Sequence, residues 1–160
     1  MKTIHTIIAA ALAGVAFVAP AAAQPIDRAL EAGFLPDPEV ITVTPGGPIE
    51  LDDSHGEGCV GFVTEAPTVR LAYDASSDQE ELFFAARSEV DTVLVVRAPN
   101  GQISCNDDRS DETLDPGVSF NNPASGVYEI WVGTYDGEES GSAELRISEI
   151  AYDSDNEETR

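Results

Sequence analysis

The sequence predicts an all-β fold, a sandwich or a barrel built from short strands. Three observations predict it. After residue 39, apolar residues recur in short runs bounded by Gly, Pro, Asn and Asp at regular spacing. The run at residues 91–98 is closed by Pro99-Asn100-Gly101, and Asn-Gly is the strongest short hairpin signal. No segment beyond residue 39 sustains the 3.6-residue period of an amphipathic helix.

The elements follow in chain order. Residues 24–38 read as a short flexible leader; Arg28-Ala-Leu-Glu-Ala has the makings of a helical turn that Pro36 and Pro38 stop. Residues 39–44 alternate as a strand closed by Pro45-Gly-Gly-Pro48, and residues 51–58 form a polar loop. Residues 59–64 are a strand. In residues 68–73, Val69, Leu71 and Tyr73 share one face. In residues 81–86, Leu82, Phe84 and Ala86 share a face opposite Phe83. Residues 91–98 are apolar on both faces, Leu94 and Val96 on one and Val93 and Val95 on the other, which predicts a central strand. Residues 103–105 return from the turn and 118–120 form a short strand. Tyr128, Ile130 and Val132 face inward on 128–134, and Leu145 and Ile147 close the domain on 143–148. Residues 151–160 read as an acidic, disordered tail, so the sandwich domain is expected at 39–150.

The first residues look like an export signal. Lys2 precedes an apolar run at residues 7–18, and Ala21-Ala-Ala23 supplies small residues for cleavage after Ala23. The run is shorter than the ~20 residues a membrane-spanning helix needs, so no membrane insertion is expected after cleavage. A periplasmic or secreted location follows. The net charge is −22, and Lys2 is the sole lysine. Such a surface repels nucleic acid and anionic lipid, and it suits basic partners, divalent cations or a salty medium.

Two cysteines, Cys59 and Cys105, in an exported chain suggest one disulfide. Closing that loop is worth about 4 kcal/mol in the chain-entropy model. The alternative is a pair of free thiols or metal ligands, but without a CxxC motif the set is poor for zinc.

Little in the sequence points to catalysis. His55 is the one histidine outside the export signal, and Ser54 beside it lacks the Gly-x-Ser-x-Gly context of a nucleophile elbow. Asp91-Thr92 is followed by valine, not glycine, so no aspartic-protease motif forms. With 30 acidic residues, no single carboxylate pair stands out for a hydrolase. The acidic loop after Cys105 is the stronger candidate: Asn106, Asp107, Asp108, Asp111 and Asp115 offer the hard oxygens calcium prefers, without EF-hand spacing. Against it stands a plain solvated turn. Asp91 is positioned to hydrogen-bond backbone amides where its strand starts. Trp131 alternates with Ile130 and Val132, so it and Tyr135 lie on the opposite face, either as a sugar- or peptide-binding surface or as cover for an apolar sheet face.

The run Asp91-Thr-Val-Leu-Val-Val, then Ala98-Pro-Asn-Gly and Cys105-Asn-Asp-Asp, resembles the middle of the bacterial pre-peptidase C-terminal (PPC) domain. Gly126-Val-Tyr-Glu-Ile-Trp-Val-Gly-Thr-Tyr135 and Ser142-Ala-Glu-Leu-Arg-Ile-Ser-Glu149 resemble its last strands, and Gly58-Cys-Val-Gly-Phe-Val-Thr-Glu-Ala-Pro67 is similar to a subgroup of small exported members. The resemblance implies a jelly-roll-like antiparallel β-sandwich of about eight strands. It also implies a non-catalytic accessory role, protease-associated or calcium-stabilised, with an extracytoplasmic protein or polysaccharide as partner. The competing expectations are a small hydrolase using a carboxylate pair and a passive, salt-adapted envelope protein.

Overall fold

The computed structural model describes residues 24–75, 80–110, 114–139 and 141–150. The expected signal peptide (1–23) and acidic tail (151–160) lie outside the described residues. Within them the chain forms eleven strands: β1 (Ile26–Glu31), β2 (Glu39–Val43), β3 (Ile49–Glu50), β4 (Phe62–Val63), β5 (Val69–Asp74), β6 (Glu81–Ser88), β7 (Thr92–Arg97), β8 (Ile103–Asn106), β9 (Gly117–Asn121), β10 (Gly126–Thr134) and β11 (Ala143–Ser148).

The strands divide into a seven-stranded and a four-stranded sheet. In the larger, β10 is the hub. One of its edges pairs with β5 from Gly126 to Ile130 and with β4 at Thr134; the other pairs with β7, which carries β8. β1 lies outside β5, and β3 lies outside β4. The smaller sheet runs β2-β11-β6-β9, antiparallel throughout.

Alternation along the strands builds the core, as the sequence predicts. Val69, Leu71, Tyr73, Leu94, Val96, Tyr128, Ile130 and Val132 of the larger sheet join Ile41, Val43, Leu82, Phe84, Ala86, Val118, Phe120, Leu145 and Ile147 of the smaller in one hydrophobic cluster. Aromatic rings join the two sheets: Tyr128 lies 5.7 Å from Phe84 and 5.5 Å from Phe120, ring centre to ring centre. Val93 and Val95, on the other face of β7, enter a second cluster with Leu51, Cys59 and Val63, against which Cys105 and Trp131 pack. That explains why β7 is apolar on both faces. The Cys59–Cys105 disulfide closes this cluster, with Cα atoms 5.2 Å apart and a separation of 46 residues.

The expectation of an antiparallel fold of about eight strands needs correction at the N-terminal side. Residues 26–31 form neither a helical turn nor a loose leader; they are β1, paired in parallel with β5 from Ile26↔Val69 to Glu31↔Asp74. Arg-Ala-Leu-Glu favours a helix locally, but Ile26 and Leu30 reach the main core only when the segment is extended, and packing overrides propensity. The expected strand at 59–64 shrinks to Phe62–Val63. Gly61, at φ +90°, turns the chain just before it, and a Cβ there would lie 2.5 Å from the Thr134 carbonyl. Gly133 makes the matching approach: a Cβ would meet the Phe62 carbonyl at 2.4 Å.

Candidate functional site

β10 runs the length of the larger sheet, and its two ends carry different chemistry. At the Thr134 end, Asp91 opens β7 beside the loop that follows β8. The Asp91 carbonyl accepts a hydrogen bond from Tyr135 N at 3.0 Å, so its main chain, and not its carboxylate as expected, ties the strand start. Among the described residues, the carboxylate Oδ1 is buried without a hydrogen-bond partner, as are the hydroxyls of Thr92 and Thr134, which stand opposite each other on β7 and β10. Burial raises the Asp91 carboxyl above its ordinary range, and the carboxylates of Asp108, Glu139 and Asp107 raise it further.

Three of the candidate metal ligands, Asn106, Asp107 and Asp115, bond main-chain groups of the fold. The Asn106 side chain accepts from Gly117 N at 2.7 Å and donates to the Asp108 carbonyl at 2.9 Å. Asp107 accepts from Asp108 N at 3.0 Å, and Asp115 accepts from Ser88 N at 3.4 Å. Asp111 lies outside the described residues. Among the described residues, no three or more His, Cys, Asp or Glu side chains are arranged to hold a metal ion.

The two aromatics differ in exposure. Trp131 is half-buried on the second cluster, with the Arg97 guanidinium 5.7 Å from its ring centre. Tyr135 is 52% exposed, beyond the end of β10. The loop around His55 does not form a relay. The hydroxyl of Ser54 donates to Asp52 at 2.5 Å, and His55 Nδ1 lies 2.9 Å from the same oxygen. Serine and histidine thus converge on one carboxylate instead of on each other, and hydrogen bonds from Ser54 hold that carboxyl below its ordinary range.

At the Gly126 end lies a cleft of about 300 Å³ between the β7–β8 turn and the β9–β10 turn. Its walls carry Asn100, Gln102, Ser119, Asn121 and Asn122, with Phe120 and Tyr128 beneath. Among the described residues, no charged one lines it. The turns that frame it are fixed locally. Asn100 Oδ1 accepts from Gln102 N at 2.9 Å, and Gly101 N bonds the Ala98 carbonyl at 2.9 Å. Asn122 takes a left-handed conformation at φ 51°, which asparagine tolerates, and its N–H bonds the Glu80 carbonyl at 2.7 Å. Tyr128 donates to the Ala124 carbonyl at 3.0 Å and thereby props the floor. The side-chain amides of Gln102, Asn121 and Asn122 make no hydrogen bond among the described residues.

An amide offers one acceptor and two donors without charge, so four of them around a cleft suit a ligand rich in groups that both donate and accept. The hairpin reading of Pro99-Asn100-Gly101 places this end of the sheet correctly. It gives no hint of the cleft, because the opposite wall arrives from residues 119–124 through long-range pairing of β9 with β6 and of β10 with β7. No family model matches the chain, and no curated protein sequence matches it.

Proposed function

We propose that this chain is an exported, non-catalytic binding module with a PPC-like, jelly-roll β-sandwich, and that its cleft at the Gly126 end of β10 holds a neutral, hydroxyl-rich ligand such as a stretch of polysaccharide. One observation carries this reading: in a chain of net charge −22, the described residues of the cleft walls are amides, a hydroxyl and small apolar groups, with no carboxylate among them. A sugar hydroxyl is donor and acceptor at once. An amide answers both roles, whereas an acidic wall would select for cations. The shared core between the two sheets supports the sandwich, and a disulfide is at home in an exported protein.

Isothermal titration of the intact protein with neutral oligosaccharides and with hexuronate oligomers tests the reading. Neutral oligomers are expected to bind and the anionic ones to fail. Gln102→Ala and Asn121→Ala should each weaken binding about tenfold, the worth of one hydrogen bond of about 1.4 kcal/mol, at unchanged melting temperature. Failure of every neutral oligosaccharide at millimolar concentration, or binding that ignores both substitutions, would sink it. Release of reducing ends during the titration would favour the carboxylate hydrolase instead.

A further inference from the structure

We infer that the free edge of β1 is a docking site for an extended protein segment with basic residues flanking an apolar one, added to the larger sheet as a further strand. The inference is independent of the cleft. Among the described residues, β5 is the one strand paired with β1. Ile26 N bonds the Thr68 carbonyl and Ala32 N the Asp74 carbonyl, each at 2.9 Å, so the even-numbered residues of β1 face β5. The main-chain groups of Asp27, Ala29 and Glu31 then point outward, and those of Ala29 and Glu31 make no hydrogen bond there among the described residues. Such an edge is a template for strand addition.

Side chains on the outer face of the sheet define the partner. Register sets Asp27 beside Arg70, Arg70 beside Glu129 and Glu129 beside Arg97, a row of alternating charge. Arg70 lies 3.0 Å from Asp27, and Arg97 donates to Glu129. The next row is Ala29, Ala72 and Val127, with Val127 51% exposed. The row after that begins with Glu31 and Asp74. The result is a shallow trough, about 540 Å³, floored by Ala29, Ala72 and Val127 with Asp27, Arg28, Arg70 and Glu129 around it; on the edge strand itself Asp27 and Glu31 flank Ala29. An added strand would set its own outward side chains beside Asp27, Ala29 and Glu31, so it fits best with a cation, an apolar residue and a cation at alternate positions. That pattern reads the same in either direction.

A second copy of this chain fits poorly. Antiparallel self-pairing centred on Ala29 sets Asp27 of each copy opposite Glu31 of the other, and like charges directly opposite destabilise a pair. The acidic edge thus discourages self-association while remaining open to a basic strand.

Fluorescence anisotropy of the peptide Thr-Arg-Thr-Val-Thr-Arg-Thr with the disulfide-intact protein at 0.15 M salt tests the inference. Its affinity should exceed by at least tenfold that of a scrambled peptide of equal composition and charge. Ala29→Pro, which removes an outward donor the fold does not use, and Glu31→Arg should each cost at least tenfold with melting unchanged. Equal binding of the scrambled peptide, or wild-type binding by Ala29→Pro, overturns the inference. Amide exchange on the unaltered protein gives a readout that needs no variant: saturating peptide should protect the N–H groups of Ala29 and Glu31, and lack of protection overturns it as well.

Discussion

At the end of the larger sheet where β10 begins, Asn100, Gln102, Asn121 and Asn122 stand around a cleft with no charged residue among its described lining. Where β10 finishes, Asp91, Asp107, Asp108 and Glu139 stand close enough that three carboxylates act on the fourth. Both ends are made of loops that flank the same two central strands, β7 and β10: a hairpin turn and a crossing between the sheets at one end, and crossings between the sheets at the other. They differ in what their polar side chains are for. At the acidic end Asn106, Asp107 and Asp115 spend their hydrogen bonds on backbone groups of the fold. At the neutral end the amides of Gln102, Asn121 and Asn122 make no hydrogen bond among the described residues. Polar side chains that hold a loop together report on stability; polar side chains that hold nothing within the described residues report on recognition. The two ends should therefore respond oppositely to mutation.

The largest expected effect tests the structural half of that contrast. The Cys59→Ser, Cys105→Ser double variant frees a loop of 46 residues from the outer face of β7 and should lose about 4 kcal/mol in denaturant unfolding. The cleft lies on the far side of the β7–β8 turn, so a variant that still folds should retain its oligosaccharide affinity. Loss of both would mean that the two ends are one cooperative site. Asn106→Ala comes next. It strands the Gly117 N–H and releases the Asp108 carbonyl, a loss of about 1–2 kcal/mol visible in the same unfolding curves. Gln102→Ala and Asn121→Ala should stay within about 0.5 kcal/mol of the parent, as surface changes do.

Much of this fold was legible because period-2 alternation is a local signal that burial enforces. Val69, Leu71, Tyr73, Leu94, Val96, Tyr128, Ile130 and Val132 all lie in the core on the faces their spacing predicts. The double-sided apolarity of β7 marked a central strand, and it lies between β10 and β8. The disulfide followed from the cysteine count. β1 was not legible, because Ile26 and Leu30 are four apart, a spacing that suits a helix and a strand alike; only the opposite edge of β5, distant in sequence, decides between them. The cleft was not legible either. Asparagines in turns look like turn chemistry, and Asn100 is used that way, while Asn121 and Asn122 face it only because β9 and β10 cross from one sheet to the other. The acidic loop was conspicuous by composition, yet composition cannot distinguish carboxylates that await a ligand from carboxylates that accept backbone N–H groups.

The smallest expected effect, and the one of opposite sign, comes from Asp91→Asn. Burial first, and then Asp108, Glu139 and Asp107, raise the Asp91 carboxyl in the folded state. A raised folded value means that the native state holds its proton more tightly than the unfolded chain does. The stabilisation is thus complete below the unfolded value of about 3.8 and is lost as pH rises through the folded one. Ionising the Asp91 carboxyl places a carboxylate among other carboxylates, with Oδ1 buried and without a hydrogen-bond partner among the described residues. Asparagine is neutral at every pH, so Asp91→Asn should melt slightly higher than the parent at pH 7, and the advantage should vanish in acid. High salt should erase only the part due to neighbouring charges, because screening at ~3 Å in 1 M salt does not relieve burial. Calcium is the reagent that would break the contrast between the ends. If millimolar calcium raises the melting temperature of the parent and Asp91→Asn abolishes the rise, the acidic carboxylates bind a ligand too. If calcium leaves both unchanged while the pH dependence holds, repulsion at this end is simply tolerated, and the loop hydrogen bonds around Asn106 are what hold it in place.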